Sequence, residues 1–201
     1  MAAAALALAT HASAMSVSWN AQVSRFLTLS DQATLVPQGD LIEIGITSAS
    51  QATLNSATTA TQLAANFTIV AAGFVGDTVG LPGTFAESTA TPGAGFFSKQ
   101  IYLLAFNANA PAGATQAGVF TDTSWLFPPT DTAGTSIIDL GDSGVTAQVG
   151  SLASGTVVGS GLDGTDAGAL KGGYTVVPEP SSIVLVALGL LGGLGVIRRR
   201  K

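Results

Sequence analysis

Eleven carboxylates stand between Met15 and Val176, with Arg25, Lys99 and Lys171 as the only cations of that stretch. Glu43 and Glu87 are its two glutamates, and Asp139, Asp142, Asp163 and Asp166 sit in or beside glycine-rich turns. Two carboxylates, one of them with a raised pKa, suffice for glycoside hydrolysis. Carboxylates on flexible loops are also what calcium coordinates. The spacing selects no pair among the eleven, and no EF-hand loop is present. The single histidine, His11, lies near the start, and there is no cysteine. The Met15–Val176 stretch therefore has no group for the usual zinc sites, for thiol chemistry or for imidazole acid–base catalysis.

Two motifs fail on the same ground of missing partners. Gly141-Asp142-Ser143-Gly144 sets a serine on a glycine-flanked turn, but an attacking hydroxyl needs a base to take its proton, and no imidazole is at hand. The segment reads as a β-turn. Gly159-Ser160-Gly161-Leu162-Asp163-Gly164 fits G-x-G-x-x-G, but Gly168, Gly172 and Gly173 break the helix that would have to aim at a pyrophosphate. The reading is a non-enzyme, with no catalytic, cofactor-binding or metal-binding residue assigned and no cofactor required. With three scattered cations against eleven acids, net about −8, the stretch lacks the clustered Lys and Arg that phosphate neutralisation needs, so no nucleic-acid partner is expected.

The elements that carry these residues read as all-β: a single antiparallel β-sandwich-like domain over 15–176 with at most one short helix and about nine strands. Ser16 onward alternates, with Val17, Trp19, Ala21 and Val23 on one face and Ser16, Ser18, Asn20 and Gln22 on the other. Gln38-Gly39-Asp40 is a turn before a strand over 41–46. A short helix fits 58–66, a strand 67–74, and a long loop 80–95 with Pro82, Gly83, Pro92, Gly93 and Gly95. The run 97–106 is apolar on both faces, which predicts a central strand covered on both sides. Further strands fit 118–121, 124–127, 136–140, 145–149, 155–158 and 172–177. Trp19 and Trp125 are expected in the core rather than at a sugar-stacking surface. Asn66-Phe67-Thr68 has the form of a glycosylation sequon.

Both ends of the chain are addresses rather than fold. Residues 1–14 are alanine-rich and finish in Ala12-Ser13-Ala14, which suits removal as a signal peptide, although no Lys or Arg precedes the apolar part. Residues 181–197 form an uncharged apolar run of about 17 residues, at the short end of what crosses a bilayer at about 1.5 Å per residue. It predicts one transmembrane helix, with Gly189 and Gly193 as ordinary small residues within it. Arg198, Arg199, Arg200 and Lys201 then act as a cytoplasmic stop-transfer cluster, which places 15–176 outside the membrane. Val177, Pro178, Glu179 and Pro180 keep the approach to the span extended, because proline lacks a donor and disfavours helix before it.

This order of Val177-Pro178-Glu179-Pro180, short span and basic cluster over 177–201 closely resembles the PEP-CTERM sorting signal of Gram-negative bacteria. The resemblance implies recognition by an exosortase-type membrane protease, cleavage near Pro178 to Pro180, and delivery from an inner-membrane anchor to the cell surface or exopolysaccharide matrix. The expected function is a non-catalytic structural or binding role there, with exopolysaccharide as a candidate partner. The alternatives are a carboxylate-based polysaccharide-modifying enzyme and a calcium-stabilised adhesive module.

Overall fold

The computed structural model describes residues 16–21, 25–90, 93–129, 135–154 and 166–176. These are mostly β, with eleven strands and two short α-helices. In chain order the strands are β1 (Ser16–Ala21), β2 (Arg25–Thr28), β3 (Leu41–Ile46), β4 (Thr68–Phe74), β5 (Phe85–Ala90), β6 (Tyr102–Phe106), β7 (Ala117–Thr121), β8 (Thr135–Asp139), β9 (Thr146–Val149), β10 (Ser151–Ser154) and β11 (Asp166–Ala169). Helices α1 (Gln51–Asn55) and α2 (Ala60–Ala64) both fall between β3 and β4.

The organising element is a five-stranded antiparallel sheet in the order β4-β3-β6-β7-β9. Its middle strand, β6, is the one expected to be covered on both sides, and the alternation of side chains shows how. Leu103 and Ala105 project into one apolar cluster, while Leu104 and Phe106 project into another. The first cluster gathers Val17, Trp19 and Ala21 of β1, Leu27 of β2, Phe85 of β5 and Ile138 of β8. These belong to two three-stranded sheets, β5-β1-β8 and β10-β11-β2. The second cluster brings Leu54 of α1 and Ala60 and Leu63 of α2 onto the opposite face. Strand β1 alternates as its sequence predicts, with Val17, Trp19 and Ala21 buried and Ser16, Ser18 and Asn20 half-buried.

Several expectations are corrected. The sheets are not purely antiparallel: β1 pairs with β8 and β2 with β11 in parallel. Side-chain alternation fixes which face a strand buries but says nothing about the direction of a neighbour more than a hundred residues away. The helix expected over 58–66 is α2, but a second helix, α1, precedes it where at most one was expected. Each has its own cap, with Ser50 Oγ accepting from Thr53 N–H at 3.2 Å and Thr59 Oγ1 from Gln62 N–H at 3.0 Å. Helix α1 buries only Leu54, too little apolar periodicity to mark it in sequence. The loop expected over 80–95 holds β5, which pairs with β1 along its whole length. Phe85 is its one large apolar residue, so the strand has almost no pattern of its own.

The strand expected over 124–127 reduces to a single bridge between Gln100 and Leu126, and the described part of the one expected over 172–177, residues 172–176, forms no strand. The expected strand 155–158 lies outside the described residues, as do the signal peptide 1–14, the glycine motif 159–164 and the whole tail 177–201. Among the described residues no helix is long and apolar enough to cross a membrane. Glycine is required at the β9–β10 junction. Gly150 has φ +95°, and a Cβ there would lie 2.3 Å from the Ala169 carbonyl oxygen.

Candidate functional site

The Gly141–Gly144 segment is the turn its chemistry demanded. Asp142 N–H bonds to Asp139 O at 2.9 Å, and Val145 N–H to Asp142 O at 3.3 Å. Ser143 is exposed at the tip. The carboxylates are structural: Asp142 Oδ2 accepts from Trp125 Nε1 at 2.9 Å, and Asp139 Oδ1 accepts from Gly141 N–H at 2.8 Å. Asp163 lies outside the described residues. Among those described, no three carboxylate or imidazole side chains converge in a way that could hold a metal ion. Trp19 and Trp125 are each 1% exposed and belong to the core, so neither ring is available to stack on a sugar. Of the sequon, Asn66 donates its Nδ2 to Gln62 O at 2.8 Å at the end of α2.

The two glutamates stand on opposite faces of the central sheet. Glu43 pairs with Ala72 and neighbouring Ile42 pairs with Gly73. A Cβ on Gly73 would sit 2.8 Å from Glu87 Cδ, so Glu87 packs against the face that Ile42 shares, and Glu43 points to the other. Each holds one buried carboxylate oxygen with no hydrogen-bond partner. Burial raises the pKa of Glu43. Burial also raises that of Glu87, the charge of Asp77 adds to the rise, and a hydrogen bond from Thr78 opposes it. Asp40 is raised by burial alone.

A raised carboxylate pKa works against the fold at neutral pH. Its stabilising share is complete below the unfolded value, about 4.3 for glutamate, and is lost as pH rises through the folded value. Glu43→Gln should therefore raise stability at pH 7 by less than about 1 kcal/mol, since the carboxylate is only half-buried and solvent screens its charge. The gain should shrink to nothing as pH falls to about 4. Thermal melts of both proteins across that range check it; a gain independent of pH would show that charge is not the cause.

The described residues line surface cavities, of which three bear on the chemistry. The first, about 480 Å³, is lined by Gln38, Gly39, Phe74, Val75, Gly76, Asp77 and Asn109. The second, about 240 Å³, has Lys99, Gln100, Asn66 and Thr47 in its wall. The third, about 260 Å³, runs over β1 and β5 at Trp19 and Glu87. Each contains at most one carboxylate, so none presents the facing acid pair that glycoside hydrolysis needs. Asp77 and Glu87 interact electrostatically but open into different cavities. The three cations are likewise apart. Arg25 Nη1 reaches Asp142 O, Lys99 lines the second cavity, and Lys171 bonds Asn55 O at 3.1 Å with its ammonium 5.6 Å from the Tyr174 ring centre.

Sequence reasoning missed the first cavity. Its residues come from the Gln38 turn, the end of β4 and the loop after β6; the sequence marks Gln38 and Gly39 only as a turn, Phe74 only as the end of a strand, and Asp77 not at all beyond the count of acids. The exposure of Phe74, at 39%, is the one cue, and it is visible only once β4 is known to be an edge strand.

The described residues are thus mostly β, and a sorting motif occupies the end of the sequence. Residues 176–201 match the family described as the PEP-CTERM protein-sorting motif. That motif implies an exported protein sorted by exosortase, a membrane protein. No curated protein and no solved structure matches the chain.

Proposed function

We propose that this is a non-catalytic protein of the cell surface or exopolysaccharide matrix of a Gram-negative bacterium, whose β-domain acts by contact with polysaccharide. The match of residues 176–201 to the sorting motif carries the reading. Residues 1–14 would direct export and be removed. The domain over 15–176 would be a sandwich-like unit, a reading supported by the apolar cluster that draws side chains from all three sheets. The 181–197 segment would hold it at the inner membrane with Arg198–Lys201 in the cytoplasm, until an exosortase-type protease acts at Val177–Pro180. The non-catalytic part is supported by the buried tryptophans, the structural use of Asp139 and Asp142, and the separation of Glu43 from Glu87.

Mass spectrometry of protein extracted from the cell surface tests this. The expected product begins at Met15 or Ser16 and ends near Pro178 to Pro180. A cytosolic product retaining both Met1 and Lys201 would overturn it.

A further inference from the structure

We propose that the cavity between Phe74, Asp77 and Asn109 is a binding subsite for a neutral sugar ring. The inference rests on the polysaccharide-contact reading above and gives it a location. The walls are fixed by backbone hydrogen bonds: Gly39 N–H to Val75 O at 2.9 Å, Val75 N–H to Asp40 O at 2.9 Å, and Gly76 N–H to Thr84 O at 2.7 Å. The floor is therefore rigid backbone, Val75 and Gly76, both buried. Gly76 is held at φ +76°, and the Gln38 side chain packs where its Cβ would be. The Gln38 amide nitrogen is tied in turn to Gly80 O.

The groups left facing solvent define the ligand. Phe74 offers a partly exposed aromatic ring. Asp77 supplies carboxylate acceptors, and Asn109 supplies an amide that makes no hydrogen bond to the described protein. A flat apolar face beside acceptors and a two-way amide suits a ring with one C–H face and a rim of hydroxyls. Among the described residues no cation lines the cavity, so phosphate, sulfate or uronate meets no counter-charge from them, and Asp77 repels such anions. The volume, about 480 Å³, is within the usual range for small-molecule sites and admits one or two pyranose rings.

The test uses the full-length chain in detergent micelles and oligosaccharides from the exopolysaccharide of the producing cells, split into neutral and acidic fractions. Titration calorimetry should show binding to the neutral fraction. Phe74→Ala and Asn109→Ala should each weaken it by about tenfold, the scale of one lost anchoring contact. Should Phe74→Ala fail to fold, Asn109→Ala and Asp77→Asn, both at exposed positions, carry the test. Wild-type binding that survives unchanged in the variants overturns the subsite but leaves the polysaccharide reading standing. Binding confined to the acidic fraction also overturns the subsite. Absence of any binding by the wild type removes both.

Discussion

Replacing Pro178, Glu179 and Pro180 together by alanine is expected to strand the chain in the membrane fraction at full length. Surface-exposed product should fall by about tenfold or more, the rate penalty of losing roughly 1.4 kcal/mol of transition-state binding. The cause is conformational as much as chemical. A protease cleft commonly takes its substrate as an extended strand, with main-chain hydrogen bonds giving the affinity. Proline lacks an N–H and pushes the residue before it out of the helical region, so Pro178 and Pro180 are expected to favour an extended approach. Alanine has the highest helix propensity, so the substituted segment could extend the helix expected over 181–197 upstream and withdraw the site. Glu179→Gln, with both prolines kept, separates charge from shape and should process faster than the triple variant. Cell fractionation with mass spectrometry of the carboxyl terminus checks both. A triple variant delivered and trimmed like the wild type would show that this tetrad is not the signal.

The basic cluster contributes independently. Each Lys or Arg costs about 2.5–3.5 kcal/mol at the centre of a bilayer, so Arg198 to Lys201 together oppose passage by roughly 10 kcal/mol. On the proposed topology, neutralising all four to glutamine is expected to remove most of that barrier and leave the apolar run 181–197 as the sole anchor. The two sets of residues are thus expected to fail differently, one by retention of an uncut chain and the other by loss of fixed orientation.

What was legible in the sequence follows from where the physics is local. The tail could be read because span length, proline and terminal charge each act without a tertiary partner. Strands β1, β3 and β6 could be read because alternation encodes burial within a handful of residues. Strand β5 could not: Phe85 alone marks it, and its pairing with β1 is held by residues almost seventy positions away. The parallel pairing of β1 with β8 and of β2 with β11 was out of reach for the same reason. Likewise, the Phe74 cavity exists only because the Gln38 turn, the end of β4 and the loop after β6 meet in space. Dismissal of Gly141–Gly144 as a nucleophile needed only the missing histidine, a fact of composition. Its actual role, holding Trp125 through Asp142, needed the fold.

That role sets the largest expected stability loss within the domain. Trp125 lies after β7 and is 1% exposed. Its carbonyl accepts from Ile101 N–H at 2.8 Å and from Gln100 Nε2 at 2.9 Å, and its indole N–H donates to Asp142. Trp125→Ala should cost about 3–5 kcal/mol, the usual range for emptying a buried aromatic site, against a total of about 5–15 for a domain. Trp125→Phe keeps most of the apolar contact but strips Asp142 Oδ2 of its donor, for about 1–3 kcal/mol. Asp142→Ala removes the other half of the same bond, so the double variant should cost less than the two singles added, by about 1 kcal/mol. Trp19 is the internal control: it is equally buried, but its indole nitrogen has no partner, so Trp19→Phe loses no hydrogen bond and should be the milder of the two phenylalanine substitutions. Ser143→Ala, at the exposed tip of the same turn, should change stability by less than about 0.5 kcal/mol. Urea unfolding of the set resolves these differences, and strict additivity between positions 125 and 142 would mean that the turn and the core are not coupled through the indole.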